Sequence, residues 1–257
     1  MSPHSAALTR RDTDSRGPNL ARRFGDALRA ADGAQAELVS HEALAIGMSV
    51  PGIYTRVIAP AMHRIGDLWE QRAVTVADEH MATAITHRAM AALYSSLGVK
   101  HSATRETIVL AAPVSQHHDL GLRMAADFLE GAGFRVVYLG VNVPADALGA
   151  AVAEHMPALV CLSMTMPLGT PDLETALAGI AEAAADAQVL LGGQGVSRRL
   201  LDKGVPYAPD VESLVEIATE LIAGESRPFR TAARPDPILR AMVTPEREQG
   251  IGTCRTT

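Results

Sequence analysis

The sequence has little cysteine, no unbroken hydrophobic run of membrane-spanning length and no excess of positive charge. Its two cysteines, Cys161 in a strand-like run and Cys254 near the end of the chain, make neither a disulfide framework nor a thiolate metal cluster. That usage fits a reducing cytoplasm. Every apolar stretch breaks before the roughly 20 residues that a transmembrane helix needs, so no membrane association is expected. The opening Met1-Ser2-Pro3-His4 lacks the apolar core of a signal peptide. A formal charge of −6 over 257 residues opposes a general polyanion-binding surface, and no direct nucleic-acid partner is expected. Arginines gather instead at the two ends: Arg10, Arg11, Arg16, Arg22 and Arg23 fall within residues 1–23, and six more follow residue 226. Both ends read as solvated tails. No nucleophile-and-base pair stands out, so binding rather than autonomous catalysis is expected.

What is present divides into two halves of different period. With 47% hydrophobic residues the chain can bury a sizeable core, and its length suits two small domains. From about Asn19 to Gly98 the pattern is helical, with Ile58, Met62, Ile65 and Trp69 spaced by four, three and four. This predicts a four-helix bundle over residues 19–98, with helices near 19–32, 34–47, 51–70 and 76–97. Asp32-Gly33 and Val50-Pro51-Gly52 punctuate it, and Thr75 with Asp78 resembles a capping box opening the fourth helix. Residues 1–18 are expected to be a disordered tail. Gly98 through Arg105 is polar and lacks a hydrophobic repeat, as an inter-domain linker should.

From Thr107 onward, short apolar runs alternate with Ala-rich helical stretches. Strands are expected at 107–112, 134–139, 158–162 and 188–191, with Tyr207 marking a short fifth. Helices are expected near 121–132, 145–155, 171–184 and 210–223. Such alternation predicts a parallel sheet covered on both faces, in an α/β domain over 106–224. Residues 225–257, with four prolines among arginines, are expected to be a disordered tail.

Ligands of such sheets bind at the carboxyl ends of the strands. The loops leaving those ends carry the polar and glycine signals: Gln116-His117-His118 with Gly121 after the first strand, Ser163-Met164-Thr165 after the third, and Gly192-Gly193-Gln194-Gly195 after the fourth. One rim therefore gathers imidazole, hydroxyls and a glycine-rich approach. A neutral imidazole suits a transition metal, and its second ring nitrogen normally donates to a partner that fixes its tautomer.

Residues 107–196 resemble the flavodoxin-like (Rossmann-like) cobalamin-binding domain of methionine synthase, the mutases and corrinoid carrier proteins. Its pattern of Asp-x-His-x-x-Gly, then Ser-x-Leu, then Gly-Gly falls here on Gln116, His118 and Gly121, then Ser163 and Thr165, then Gly192 and Gly193. The resemblance implies that His118 ligates cobalt from below in place of the dimethylbenzimidazole base. The nucleotide tail would then lie beside Ser163, with the glycine pair lining its slot. Gln116 departs from the family's carboxylate: an amide oxygen can accept the imidazole's hydrogen bond but adds no charge. His117 is a rival ligand, one residue further from Gly121.

The helical half carries a second motif. Trp69, the one tryptophan, is followed after nine intervening residues by Glu79-His80. If the third and fourth helices fold back on each other, these residues should meet at one end of the bundle. The spacing is similar to the helical cap of CarH-type light-sensing regulators, which implies that Trp69, Glu79 and His80 surround the upper axial ligand; the two-domain plan is also similar to cobalamin-dependent antirepressors, which lack a DNA-binding domain. Two departures matter. Those regulators begin with a DNA-binding helix-turn-helix domain, for which the residues before this bundle are too few, so any transcriptional effect would need a partner protein. They also commonly carry a histidine near the tryptophan, whereas Glu70 follows Trp69 here; His63, His80 or His87 are possible substitutes.

Together these features imply a cobalamin-binding sensor, clamped on its cofactor between bundle and sheet. It would respond to occupancy by adenosylcobalamin or hydroxocobalamin, or to light, and signal to a transcription factor. The alternative is a corrinoid carrier subunit that shuttles a methyl group on methylcobalamin to and from a methyltransferase partner.

Overall fold

A computed structural model describes residues 3–99, 105–166, 170–183, 187–196 and 204–224, with side chains from residue 16 onward except 170–174 and 181. The expected tail 225–257, Cys254 and most of the 98–105 linker lie outside the described residues. Contacts divide the chain into two compact units that do not follow its linear order. The first comprises Met1–Arg105, Leu120–Arg135 and Asp210–Val215; the second comprises Glu106–Asp119, Val136–Pro209 and Glu216–Thr257.

The first unit contains α1 (Pro3–Arg29), α2 (Gly33–Ala45), α3 (Val50–Ile53), a π-helical turn (Tyr54–Ile58), α4 (Ala59–Glu70), α5 (Val76–Tyr94) and a 3₁₀ turn (Ser95–Leu97). α1 starts at Pro3 rather than near Asn19, which corrects the expected tail at 1–18. Ala6, Ala7, Leu8, Arg10 and Arg11 are strong helix formers, and Pro18 sits inside the helix rather than ending it. The helix stops follow one device. After α1, Ala31 takes a left-handed φ of 52° while Asp32 N–H reaches back to the Ala27 carbonyl at 2.9 Å. Asp32 then caps α2 by accepting the Gln35 N–H at 2.9 Å.

The π turn has a local cause. Pro60 has no N–H to offer the carbonyl one turn back and its ring crowds it, and the turn ahead widens so that Ala59 N–H bonds the Tyr54 carbonyl instead. Tyr54 thereby becomes one of the largest fully buried side chains. Its hydroxyl donates to Asp127 Oδ2 at 2.7 Å, and its ring stacks on Phe128 with centroids 6.1 Å apart. Asp127 and Phe128 lie on α6 (Leu120–Gly131), whose Met124 and Phe128 join the bundle's apolar core. Arg123 completes the group, bonding Asp127 Oδ1 at 2.5 Å and lying 3.8 Å from Glu130, which accepts the Tyr94 hydroxyl at 2.8 Å. Burial, then the bond to Asp127, pushes the pKa of the Tyr54 hydroxyl far above its ordinary value, so it stays protonated as the donor.

The second unit is built on a five-stranded sheet ordered β2-β1-β3-β4-β5. Its strands are β1 (Thr107–Pro113), β2 (Arg135–Val143), β3 (Leu159–Ser163), β4 (Gln188–Gly192) and β5 (Tyr207–Ala208). β1 pairs in parallel with β3, β3 with β4 and β4 with β5. The expected helical region and parallel α/β sheet are therefore both present, and Tyr207 does open a fifth strand. β2 runs four residues past the expected 139. Side chains alternate across the sheet: Val109, Ala111, Val160, Leu162, Val189 and Leu191 join one core with Leu148 and Val152 of α7 (Ala145–His155) and Leu177 and Ile180 of α8 (Thr170–Ala183). α9 (Val211–Ala223) closes the described chain. Cys161, on the opposite face of β3, is buried, and desolvation pushes its thiol up to about 12, so it is no nucleophile.

Tyr54→Phe leaves a buried carboxylate short of one donor and is expected to cost about 1.5–3 kcal/mol, whereas Tyr94→Phe, whose partner lies nearer solvent, should cost about 1 kcal/mol or less. Urea unfolding should show the difference as a shifted midpoint with an unchanged slope.

Candidate functional site

The strand order places a topological switch between β1 and β3, because the chain leaves β1 for β2 on one side and reaches β3 on the other. Loops from such a pair diverge, leaving a crevice at the carboxyl ends of the strands. Gln116 bridges it here. Its side chain is 1% exposed. Oε1 accepts the N–H groups of Thr165 at 2.8 Å and Met166 at 3.0 Å, and Nε2 donates to the Met166 carbonyl at 3.1 Å. The Gln116 backbone is tied in the other direction, its carbonyl accepting the Asn142 N–H at 3.0 Å. Asn142 Oδ1 in turn accepts the N–H of Ser115, which has a left-handed φ of 70°.

The loop after β4 is fitted to the same segment. Gly193 adopts φ +94°, and a Cβ there would overlap the Met164 carbonyl; a Cβ at Gly195 would overlap the carbonyl of Met166. Met164 N–H bonds the Gly192 carbonyl at 2.8 Å, and Gly195 N–H bonds the Met164 carbonyl at 2.7 Å. Ser163 stands opposite Gly192 in register. Residues 163–166 are thus gripped from both sides, by Gln116 and by the glycines, and both Ser163 and Thr165 remain partly exposed.

His117 and His118 are exposed on the β1 loop. Gln116 spends its amide on the Thr165-Met166 backbone rather than on the imidazole at His118. Gly121 lies in the first turn of α6, and beyond its own turn and chain neighbours none of the described residues comes within 4 Å of where its Cβ would be, so packing against them does not demand glycine there. Among the described residues no group of three or more His, Cys, Asp or Glu side chains could hold a bare metal ion. A macrocycle that brings its own equatorial nitrogens asks only for one imidazole, and this rim can supply it.

In the first unit, Trp69 is 47% exposed at the end of α4. The turn beyond it is a Schellman motif carried by Arg72 at φ 59°, with Ala73 N–H on the Leu68 carbonyl at 2.8 Å. The capping box is present: Thr75 N–H donates to Asp78 Oδ2 at 2.8 Å, and Asp78 N–H to Thr75 Oγ1 at 3.2 Å. The Thr75 hydroxyl, then its backbone N–H, hold the Asp78 carboxyl below its ordinary pKa. Glu79 follows, half-buried, accepting the Thr83 hydroxyl at 2.9 Å and lying 2.6 Å from Nδ1 of the exposed His80. Val76 and Met81 are exposed apolar side chains on the same helix.

Sequence reasoning missed the Tyr54–Asp127–Arg123 group, the role of Gly195 and the true partners of Gln116. Asp127 within Met124-Ala125-Ala126-Asp127-Phe128-Leu129, with Arg123 one turn earlier, was the available signal. A cleft of about 520 Å³ in the first unit is lined by Leu44, Val50, Leu97, Asp127, Phe128 and Glu212, and none of the residues nominated from sequence lines it.

Residues 20–94 match one family of B12 binding domain and residues 106–211 match a second. The chain belongs to the B12-binding proteins. This B12-binding protein is 28% identical over 212 residues to the HTH-type transcriptional repressor CarA of Myxococcus xanthus, covering 81% of this chain and 71% of CarA. It is 34% identical to the repressor CarH of the same organism, over 51% of this chain and 42% of CarH. Trimethylamine corrinoid protein 1 of Methanosarcina acetivorans is 25% identical, over 69% of this chain and 84% of its own length. The solved monomethylamine corrinoid protein of Methanosarcina barkeri shares the fold, with a TM-score of 0.69 at 22% identity over 79% of this chain and 98% of the other.

Gly193→Ala combines an unfavourable φ with backbone overlap. It is expected to cost about 2 kcal/mol or more, read as a lowered thermal midpoint, and to reduce cobalamin retention on desalting.

Proposed function

We propose that this protein is a cytoplasmic, cobalamin-dependent sensor that acts through a protein partner. The observation that carries the reading is the combination, in one chain, of an exposed His118 on the switch-point rim with exposed Trp69 and His80 and a Glu79 held by Thr83. His118 would hold the cobalt through its imidazole, with Gly121 allowing the close approach of the loop. Ser163, Thr165, Gly192 and Gly193 receive the nucleotide tail, and Gln116 orders their loop. Trp69, Glu79 and His80 address the upper axial ligand, with an aromatic face for an apolar group and a carboxylate–imidazole pair for hydroxyl or amine functions. When bound, adenosylcobalamin supplies a light-sensitive cobalt–carbon bond, and hydroxocobalamin supplies an exchangeable aqua ligand. A different group beside Trp69 would alter what its ring packs against, and hence the bundle surface that a partner meets. CarA and CarH, both named as transcriptional repressors, support a regulatory partner.

A second reading has its own support. The match to trimethylamine corrinoid protein 1 spans 84% of that protein, consistent with a carrier that passes a methyl group on cobalt between methyltransferase partners.

Purified protein mixed with excess hydroxocobalamin or adenosylcobalamin should stay coloured through desalting, and colourless protein rejects both readings. His118→Ala should move the bound absorbance spectrum to that of a form lacking histidine ligation. Trp69→Ala should erase the preference for adenosylcobalamin while leaving hydroxocobalamin bound. Green light should change the spectrum and elution volume of a sensor; a carrier should instead accept and pass on methyl in the dark.

A further inference from the structure

We propose that Gln116 selects for corrinoids that carry a nucleotide tail, by holding residues 163–166 in the shape that receives the tail, and that it does not serve the His118 imidazole. The inference rests on the cobalamin reading above and assigns Gln116 a positioning role within it.

Three observations carry it. The amide oxygen is already filled and the amide is fixed in direction: Oε1 accepts two N–H groups and Nε2 donates to the Met166 carbonyl, all from a side chain that is 1% exposed. Turning toward His118 would strand those backbone groups where water does not reach them, which costs more than one new hydrogen bond returns. What the amide holds is also specific. Fixing the N–H of Thr165 fixes the backbone from which its hydroxyl projects, and Ser163 lies two residues before it, opposite Gly192. These partly exposed hydroxyls can meet a heterocyclic base. Finally, Gln116 is itself anchored, because Asn142 N–H holds its carbonyl and Gln116 N–H reaches the Pro113 carbonyl at 3.1 Å. The clamp therefore pulls the β3 loop toward a fixed point rather than toward a mobile one.

A corrinoid without the nucleotide needs His118 but not the 163–166 loop. Selectivity between cobalamin and cobinamide therefore separates the two possible roles of Gln116. In wild-type protein, hydroxocobalamin should bind more tightly than diaquocobinamide. Gln116→Leu keeps the bulk but removes all three bonds; it should weaken hydroxocobalamin by about tenfold or more while leaving diaquocobinamide within about twofold. The absorbance spectrum of each bound form should match wild type. Gln116→Glu retains an oxygen for both N–H groups and should restore most of the selectivity. Equal losses for both corrinoids, no loss for either, or a bound spectrum shifted toward that of His118→Ala would each overturn the proposal. If wild-type protein takes up neither corrinoid, the cobalamin reading fails and tail selection falls with it. Hydrogen exchange on the unliganded chain then still decides whether the clamp exists: the Thr165 and Met166 amides should exchange about tenfold faster or more in Gln116→Leu, and unchanged exchange would reject it.

Discussion

Two neighbouring parallel strands, β1 and β3, send their chains away on opposite sides of the sheet, and the crevice this opens is spanned by the amide of Gln116. Backbone N–H and carbonyl groups at such a place must find partners once water is excluded. One buried amide satisfies three of them and in doing so sets the shape of residues 163–166. Gly193 and Gly195 depend on that shape, since their backbones lie against the carbonyls of Met164 and Met166 with no room for a Cβ. The exposure of His117 and His118 follows from the same economy: with Gln116 turned inward, the loop beyond it carries its imidazoles outward.

The helical unit solves a comparable problem with a different polar group. A π turn ahead of Pro60 places Tyr54 in the core, where its hydroxyl requires an acceptor and finds Asp127. Asp127, buried in its turn, requires a cation and finds Arg123. Helix α6 is thereby held by a directional bond as well as by the apolar contacts of Met124 and Phe128. Apolar contact alone tolerates sliding, whereas a buried hydrogen-bonded charge fixes register because any displacement leaves it unpaired.

The chemistry the protein offers is economical. It presents an imidazole, hydroxyls and close-lying glycines at the rim, and an aromatic ring with a carboxylate–imidazole pair on the bundle. None of these groups is poised as a nucleophile, and the buried thiol of Cys161 is held far from ionisation. These groups suit the holding of a cobalamin, and the relatives of this chain include both named regulators and named corrinoid proteins.

Fold class was legible in the sequence because it depends on local pattern, and the candidate site residues were nominated on the same basis. Period-3.6 and near-continuous apolar runs separate bundle from sheet, the Thr75–Asp78 capping box announces α5, and Trp69, Glu79-His80 and His118-x-x-Gly121 are spacings along the chain. The start of α1 at Pro3 escaped because the arginine-rich opening of the chain reads as a solvated tail. The direction of the Gln116 side chain escaped for a deeper reason. Residue 116 lies near His118 in sequence and far in sequence from Thr165, and only closure of the sheet brings β3 alongside β1. Tyr54 and Asp127, 73 residues apart, meet on the same principle. Sequence alone determined which groups the protein possesses; which of them are spent on one another and which remain for a ligand was decided by tertiary structure, because hydrogen bonds between buried groups depend on distance in space and not along the chain.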